Sequence, residues 1–357
     1  MSDAARNDIR PFVSVVVPTF NRRDDLQITI EVLERQTYPA DRMEVIVIDN
    51  SSTDGTEAMI ADLQARLSIE VRYCRKEPEG PGAARNLGAE MARGDYVAFV
   101  DSDVSLAPDW LAEAAAVLDA DAGVGQVGGK VIYDAHRDFL NSYGGVLSPI
   151  GLAWDAREGE AVTSADSVEE TLWISCSATL VRRSAFQAAG GFDAVFFYAH
   201  EDTDLSWRLG VLGWKVLVIP TALAFHRVGA AIGQSSPQIV FHACKNRLRS
   251  MLKNLSGRRL ASALPIYLAY AVADATLRPP RKPKFAGLGW NLKVLPETLR
   301  LRHATQQARR TPDSQLLRLM NRRWFPEVRL SGRRRRPVRA ELSSNQSASP
   351  VRDDRVA

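Results

Sequence analysis

Apolar runs and amphipathic stretches alternate through the first hundred positions. The run 13–17, four valines around Ser14, stops at Pro18, as a buried parallel strand does. Residues 24–36 follow with Leu26, Ile30 and Leu33 at helical spacing. A second apolar run, 45–48, ends at Asp49-Asn50, and the turn Ser52-Thr53-Asp54-Gly55 leads into a helical pattern over 56–67. A strand is predicted at 69–73, a helix at 83–92, and a strand at 96–100 closed by Asp101-Ser102-Asp103. This βαβαβαβ succession predicts an α/β fold, a Rossmann-like, mostly parallel central sheet flanked by helices.

Beyond Asp103 the pattern loosens. A helix is predicted over 108–120, a strand near Val131, a loop-rich stretch to Glu170, a strand over 173–181 and a short helix over 183–189. A turn at Gly190-Gly191-Phe192-Asp193 precedes a helix over 202–210 and two strands, 216–219 and 222–226. Gly123-Val124-Gly125-Gln126-Val127-Gly128 fits the glycine pattern of dinucleotide-binding turns. A helical segment precedes it and a strand follows, the reverse of what that turn requires, so a glycine-rich loop is expected.

Charge divides the chain. From Arg278 onward there are 20 Lys and Arg against 6 Asp and Glu; the first 277 residues carry 26 against 36, within an overall net of +4. Residues 242–257 read as a basic helix, and the apolar stretch 260–277 is bracketed by Arg258-Arg259 and by Arg278, Arg281 and Lys282. At 18 residues, broken by Pro265 and Asp274, that stretch is short for a span of roughly 20 residues and predicts a helix lying on or dipping into a membrane. With no zinc-finger spacing or aromatic RNA-binding motif, the basic end is assigned to the cytoplasmic membrane surface and not to nucleic acid. Three widely spaced cysteines and a polar N-terminus fit a cytoplasmic protein peripherally associated with the inner face of the membrane. The expected organisation is a flexible N-terminus (1–11), a catalytic domain (12–235), a helical, membrane-associating region (236–330) and a disordered basic, Ser-rich tail (331–357).

The candidate chemistry gathers where predicted strands end, the rim at which open α/β sheets bind ligands. Thr19 and Asn21, Asp49 and Asn50, and Asp101 and Asp103 all fall there. Two carboxylates at i and i+2 suit a hard cation that grips a diphosphate. A second group, Glu201-Asp202-Thr203-Asp204, places three carboxylates at a helix start, more than capping needs, and one of them fits a general base. His226 closes a predicted strand and is a candidate third ligand.

Taken in order, Pro18-Thr19-Phe20-Asn21, Asp49 through Thr56, Ala84-Arg85-Asn86-Leu87-Gly88, Asp101-Ser102-Asp103, Gly190-Gly191-Phe192-Asp193, and Glu201 to Leu205 with Arg208 resemble the family 2 glycosyltransferases of the GT-A fold, especially a rhamnosyltransferase-like branch. The resemblance covers about residues 12–230. It implies an inverting transfer of sugar from a UDP- or dTDP-sugar to an acceptor hydroxyl, assisted by Mn²⁺ or Mg²⁺; the apolar, arginine-flanked stretch 260–277 separately predicts a lipid-linked or cell-surface glycan as that acceptor. Pro18, Thr19, Asn21, Asp49, Asn50, Ser51, Arg85, Asp101 and Ser102 would line the donor pocket, with Asp49 on the base ring. Asp101, Asp103 and His226 would hold the metal, Asp202 would be the base, and Glu201 would orient the acceptor. The segment 173–178 is less glycine-rich than in many relatives, which leaves the acceptor open.

The rivals lack their own hallmarks. A sugar nucleotidyltransferase needs a glycine-rich basic loop after the first strand, and 18–23 contains no glycine. A P-loop is missing, and Ala61 stands where a calcium-binding EF-hand loop would need Glu. The alternatives to a transferase are a sugar nucleotidyltransferase and a non-catalytic nucleotide-sugar-binding protein; Asp101, Asp103 and Asp202 together argue against the latter.

Overall fold

The computed structural model describes residues 10–227 and 236–325. Most of the expected flexible N-terminus (1–11) and the whole expected tail (331–357) lie outside the described residues.

Strands β1 (Val13–Thr19), β2 (Met43–Asp49), β3 (Glu70–Arg75) and β4 (Tyr96–Val100) pair in parallel in the order β3-β2-β1-β4. Side chains alternate across the sheet. Val13, Val15 and Val17 therefore join a core with helices α1 (Arg23–Leu33), α2 (Thr56–Arg66) and α4 (Trp110–Ala120), while Val16, Ile46 and Ile48 meet α3 (Pro81–Met91) on the other face. Leu26, Ile30 and Leu33 of α1 are buried, as their spacing predicts. The register sets Thr19 beside Asp49, so the first two strands end level at one rim.

The sheet then continues with mixed polarity. Short β5 (Val104–Leu106) is followed by the long β6 (Val124–Tyr133), short β7 (Leu140–Tyr143), β8 (Gly145–Leu147), β9 (Ala153–Asp155) and β10 (Glu169–Glu170), then β11 (Ala178–Arg182) and β12 (Lys215–His226); β8 and β9 pair with each other in a separate two-stranded sheet. The full order is β10-β12-β6-β11-β4-β1-β2-β3, with β11 antiparallel to both β4 and β6. Two expectations are corrected. The strand expected at 173–181 is only β11, and the two expected at 216–226 are one, β12, irregular between Val218 and Leu223.

The expected glycine-rich loop is instead the buried centre of β6. A Cβ on Gly128 would lie 2.5 Å from Ile174, and one on Gly129 would lie 1.8 Å from the Ala222 carbonyl oxygen. The glycines are there because a side chain from Ile174 and the β12 backbone cross the strand closely.

Among the described residues the last five helices are α7 (Pro237–Asn254), α8 (Gly257–Leu277), α9 (Arg281–Lys293), α10 (Leu295–Gln307) and α11 (Asp313–Leu319), after α5 (Arg183–Ala188) and α6 (Glu201–Val211). They are not an appendage. A third core cluster joins Trp207 and Val211 of α6 to Leu248, Met251 and Leu252 of α7, Tyr267 of α8 and Leu316 of α11. The basic helix expected at 242–257 turns its charge inward: Lys245, Arg249 and Lys253 are all buried.

Candidate active site

The motif Ala84-Arg85-Asn86-Leu87-Gly88 lies on α3, and each polar or small position has a separate task. Gly88 lets the helix approach β1, since a Cβ there would sit 2.3 Å from Val16. Asn86 bonds both ends of one peptide unit's surroundings: its Oδ1 accepts from Phe192 N–H at 2.8 Å and its Nδ2 donates to the Phe192 carbonyl at 2.9 Å. Arg85 is buried and forks between two carboxylates. Nη2 donates to Asp101 Oδ1 at 2.7 Å and Nη1 to Glu201 Oε1 at 3.0 Å. Burial works against its charge, but Asp101 and Glu201 outweigh that and keep it fully protonated. Glu201 Oε2 and Arg85 Nε are buried without partners.

Asp103 lies one step further along the rim and faces other residues. Arg22 Nη1 donates to its Oδ2 at 3.2 Å, and its Oδ1 is 3.5 Å from His226 Nε2. Burial opposes ionisation of Asp103, yet His226 and Arg22 hold its carboxyl below the usual range. Burial likewise disfavours an imidazolium, but Asp103 facing it raises His226 above the usual histidine value. Of the three expected metal ligands, the structure brings together Asp103 and His226; Asp101 accepts from Arg85 instead.

This pair fits a divalent cation. Asn141 Oδ1 sits 2.9 Å from His226 Nδ1; with the neutral ring's proton on Nδ1 and Asn141 accepting it, the Nε2 lone pair would be free for a cation beside Asp103. An imidazole nitrogen and a carboxylate oxygen suit Mn²⁺ or Mg²⁺. Among the described residues no three His, Cys, Asp or Glu side chains converge. Oxygens of a diphosphate would have to complete the shell, as usual for Mg²⁺ sites.

The loops after β1 and β2 are laced together. Asn21 Oδ1 accepts from Thr53 N–H at 2.8 Å, and Ser52 Oγ accepts from Asn21 N–H at 2.8 Å. Asn21 and Ser51 both adopt left-handed backbone, with φ of 49° and 68°. Ser51 Oγ donates to the Lys76 carbonyl. Asp49 is fully buried; Oδ1 accepts from Ser52 N–H at 2.8 Å and Oδ2 from the Tyr73 hydroxyl at 2.7 Å. Pro18 pairs with Ile48 inside the sheet, and Ser102 uses its carbonyl to accept from Thr29. Thr19 Oγ1 and Asn50 Oδ1 are buried with no partner. Buried polar atoms of that kind mark a place for a polar ligand.

The carboxylates at the start of α6 separate by environment. Asp204 is buried, bonded to Arg208 Nε (2.9 Å), Lys253 Nζ (2.9 Å) and Asn254 Nδ2 (3.1 Å). These contacts overcome burial and depress its pKa. Asp202 has no cation in contact: the Thr203 N–H donates to it and Arg85 lies near enough to lower its carboxyl, but burial and the neighbouring Glu201 outweigh both and push it up to about 7. A carboxylate poised near neutrality is what a general base requires.

The loop entering α6 carries two successive non-glycine residues in left-handed backbone, Ala199 (φ 66°) and His200 (φ 73°). Buried Asn246 of α7 donates to the Tyr198 carbonyl at 2.8 Å and to the Ala199 carbonyl at 2.7 Å. Lys245 donates to Val195 O, and Arg249 and Lys253 both bond Asp193. One face of α7 thus holds the backbone that aims Glu201 and Asp202.

Arg22, Asn141 and Asn246 were missed by sequence reasoning. Arg22 had a signal, being a cation beside the first strand-end motif. Asn141 and Asn246 had none, because their partners lie 85 and 47 or 48 residues away.

Residues 14–188 match the family model "Glycosyl transferase family 2". A glycosyltransferase of Haloferax volcanii (AglE) is 36% identical over 121 residues, 34% of this chain and 40% of that protein. The poly(ribitol-phosphate) beta-N-acetylglucosaminyltransferase TarS of Staphylococcus aureus is 35% identical over 106 residues, 30% of this chain and 18% of that protein. The match thus spans less than half the length of these relatives. Among solved structures, a fragment of S. aureus TarS in complex with UDP aligns with a TM-score of 0.52 at 17% identity, over 94% of this chain and 88% of that one. A mannosyltransferase of Pyrobaculum calidifontis in complex with GDP-Man and Mn²⁺ gives 0.51 at 20% identity, over 84% and 86%. These likenesses establish the GT-A fold.

Proposed function

We propose, from the premise that residues 14–188 form a family 2 glycosyltransferase domain, that this chain transfers a sugar from a nucleoside diphosphate sugar to an acceptor hydroxyl with inversion. The observation that carries the reading is the division of labour at one rim: Asp103 with His226 on one side, and Asp202, pushed up to about 7, on the other.

The donor's base and ribose would enter between Thr19, Asp49 and Asn50, where unpartnered buried oxygens wait. Asp103 and His226 would hold the metal, and Asp101 and Arg85 would face the nucleotide. A bound divalent cation would neutralise charge building on the departing diphosphate. Arg85 stays protonated in its buried fork and holds Asp101 and Glu201 in place at the rim, so neither has to reorganise during transfer. Asp202 accepts the proton of the acceptor hydroxyl as that oxygen attacks the anomeric carbon from the face opposite the leaving group. Glu201, tied to Arg85 through one oxygen, offers the other, Oε2, to the acceptor. The donor is a UDP- or dTDP-sugar and the acceptor a lipid-linked or cell-surface glycan. UDP and Mn²⁺ in the structural neighbours support the donor and metal classes.

Product analysis tests this. With an accepted donor and Mn²⁺, NMR of the glycoside must show the anomeric configuration opposite to the donor's. A retained configuration would remove Asp202 as base in a single displacement.

A further inference from the structure

Between Leu260 and Ala273 the exposed face of α8 is uncharged and mostly apolar. Ile266, Leu268, Val272 and Leu277 are 37%, 39%, 47% and 76% exposed, and residues 260–273 include no charged side chain. The one acidic group in the helix, Asp274, points to Lys284 of α9 at 2.6 Å and to Arg278 at 3.6 Å, away from this stripe. Exposed cations bracket it: Arg258 and Arg259 before, Arg278, Arg281 and Lys282 after. Phe325 packs on Tyr270 with ring centroids 5.2 Å apart, so the partly exposed Trp324-Phe325 pair stands beside the helix.

By length and composition this helix could cross a bilayer. Its opposite face argues otherwise. Ala263, Tyr267 and Ala275 are buried, and Ala263 and Tyr267 belong to the same cluster as Trp207 of α6 and Met251 of α7. A helix packed along one side against a domain full of buried ion pairs cannot take lipid on all sides. We propose that α8 lies in the plane of one leaflet, its outward stripe in the acyl boundary and its terminal arginines on anionic headgroups, seating the catalytic domain on the membrane. The stripe is uncharged where acyl chains would lie and cationic at both ends, which matches an anionic bilayer and not a second copy of the same cationic ends. The seat rests on the transfer reading only for what the membrane supplies, an acceptor.

The test is flotation of the full chain with vesicles of phosphatidylcholine alone or with phosphatidylglycerol. The chain should float with the anionic vesicles and be released by alkaline carbonate. Arg258→Glu with Arg259→Glu should weaken binding at least roughly thirtyfold, from about 1 kcal/mol per lost cation. Ile266→Asp with Val272→Asp should abolish it. Nucleotide-induced thermal stabilisation, measured on each variant, reports that the fold and donor site remain. Retention by the membrane after carbonate would mean a crossing and overturn the in-plane seat. Absence of flotation, with or without a dimer that Val272→Asp splits, would overturn the membrane as occupant, whatever the nucleotide response.

Discussion

Asp202 and Asp204 stand two positions apart on one helix and titrate in opposite directions. Asp204 meets Lys253 and Arg208 in the interior, whereas Asp202 has burial and Glu201 against its charge and no cation in contact. Asp202→Asn should therefore leave donor binding unchanged while kcat falls by on the order of 10²–10⁴, measured as initial rates at saturating donor. The base works deprotonated, so the native rate should decline about tenfold per unit as pH drops below about 7. At saturating Mn²⁺ the acid limb should vanish from the residual rate of the variant. His226 acts in the same direction. Its pKa is raised by Asp103, so protons compete with metal, and Mn²⁺ affinity by titration should weaken as pH falls. The sequence showed that carboxylates cluster at 201–204. It could not sort base from structural anchor, because the cations that decide it lie on α7.

At the scale of elements, β1, β2 and β4 were legible because continuous apolar runs mark strands buried on both faces, and α1 because its apolar positions follow period 3.6. Strand β6 was not. Its glycines lower strand propensity, and the need for them arises only from β12 and Ile174 crossing closely. Gly129→Val should cost at least about 1–3 kcal/mol, read as a lowered Tm, since the obstructing atom is backbone and cannot swing aside. The α7 face makes a second prediction. Asn246→Ala removes both donors from the Tyr198 and Ala199 carbonyls. The left-handed pair 199–200 should then relax, with kcat down on the order of tenfold or more and donor KM unchanged. An equal loss in donor affinity would contradict a role confined to aiming Asp202.

For the whole molecule, the basic helix expected at 242–257 and the acidic positions before it are partly one interior. Arg249 and Lys253 neutralise Asp193 and Asp204, so the helices after 236 complete the catalytic domain. The sequence could count those charges but not locate them. Lys253→Met should destabilise by about 3–5 kcal/mol by leaving buried carboxylates short of a cation, measured by denaturant titration. Truncation before α7 should give an insoluble or unfolded chain, not a free catalytic domain. The account's central claim, a metal-assisted nucleoside diphosphate site built on Asp103, is tested most directly by calorimetric titration of UDP, dTDP and GDP with and without Mn²⁺. The account predicts binding of UDP or dTDP that needs Mn²⁺ and is lost in Asp103→Ala, while Asp202→Asn binds as the native chain does. Nucleotide binding indifferent to both Mn²⁺ and Asp103 would contradict it.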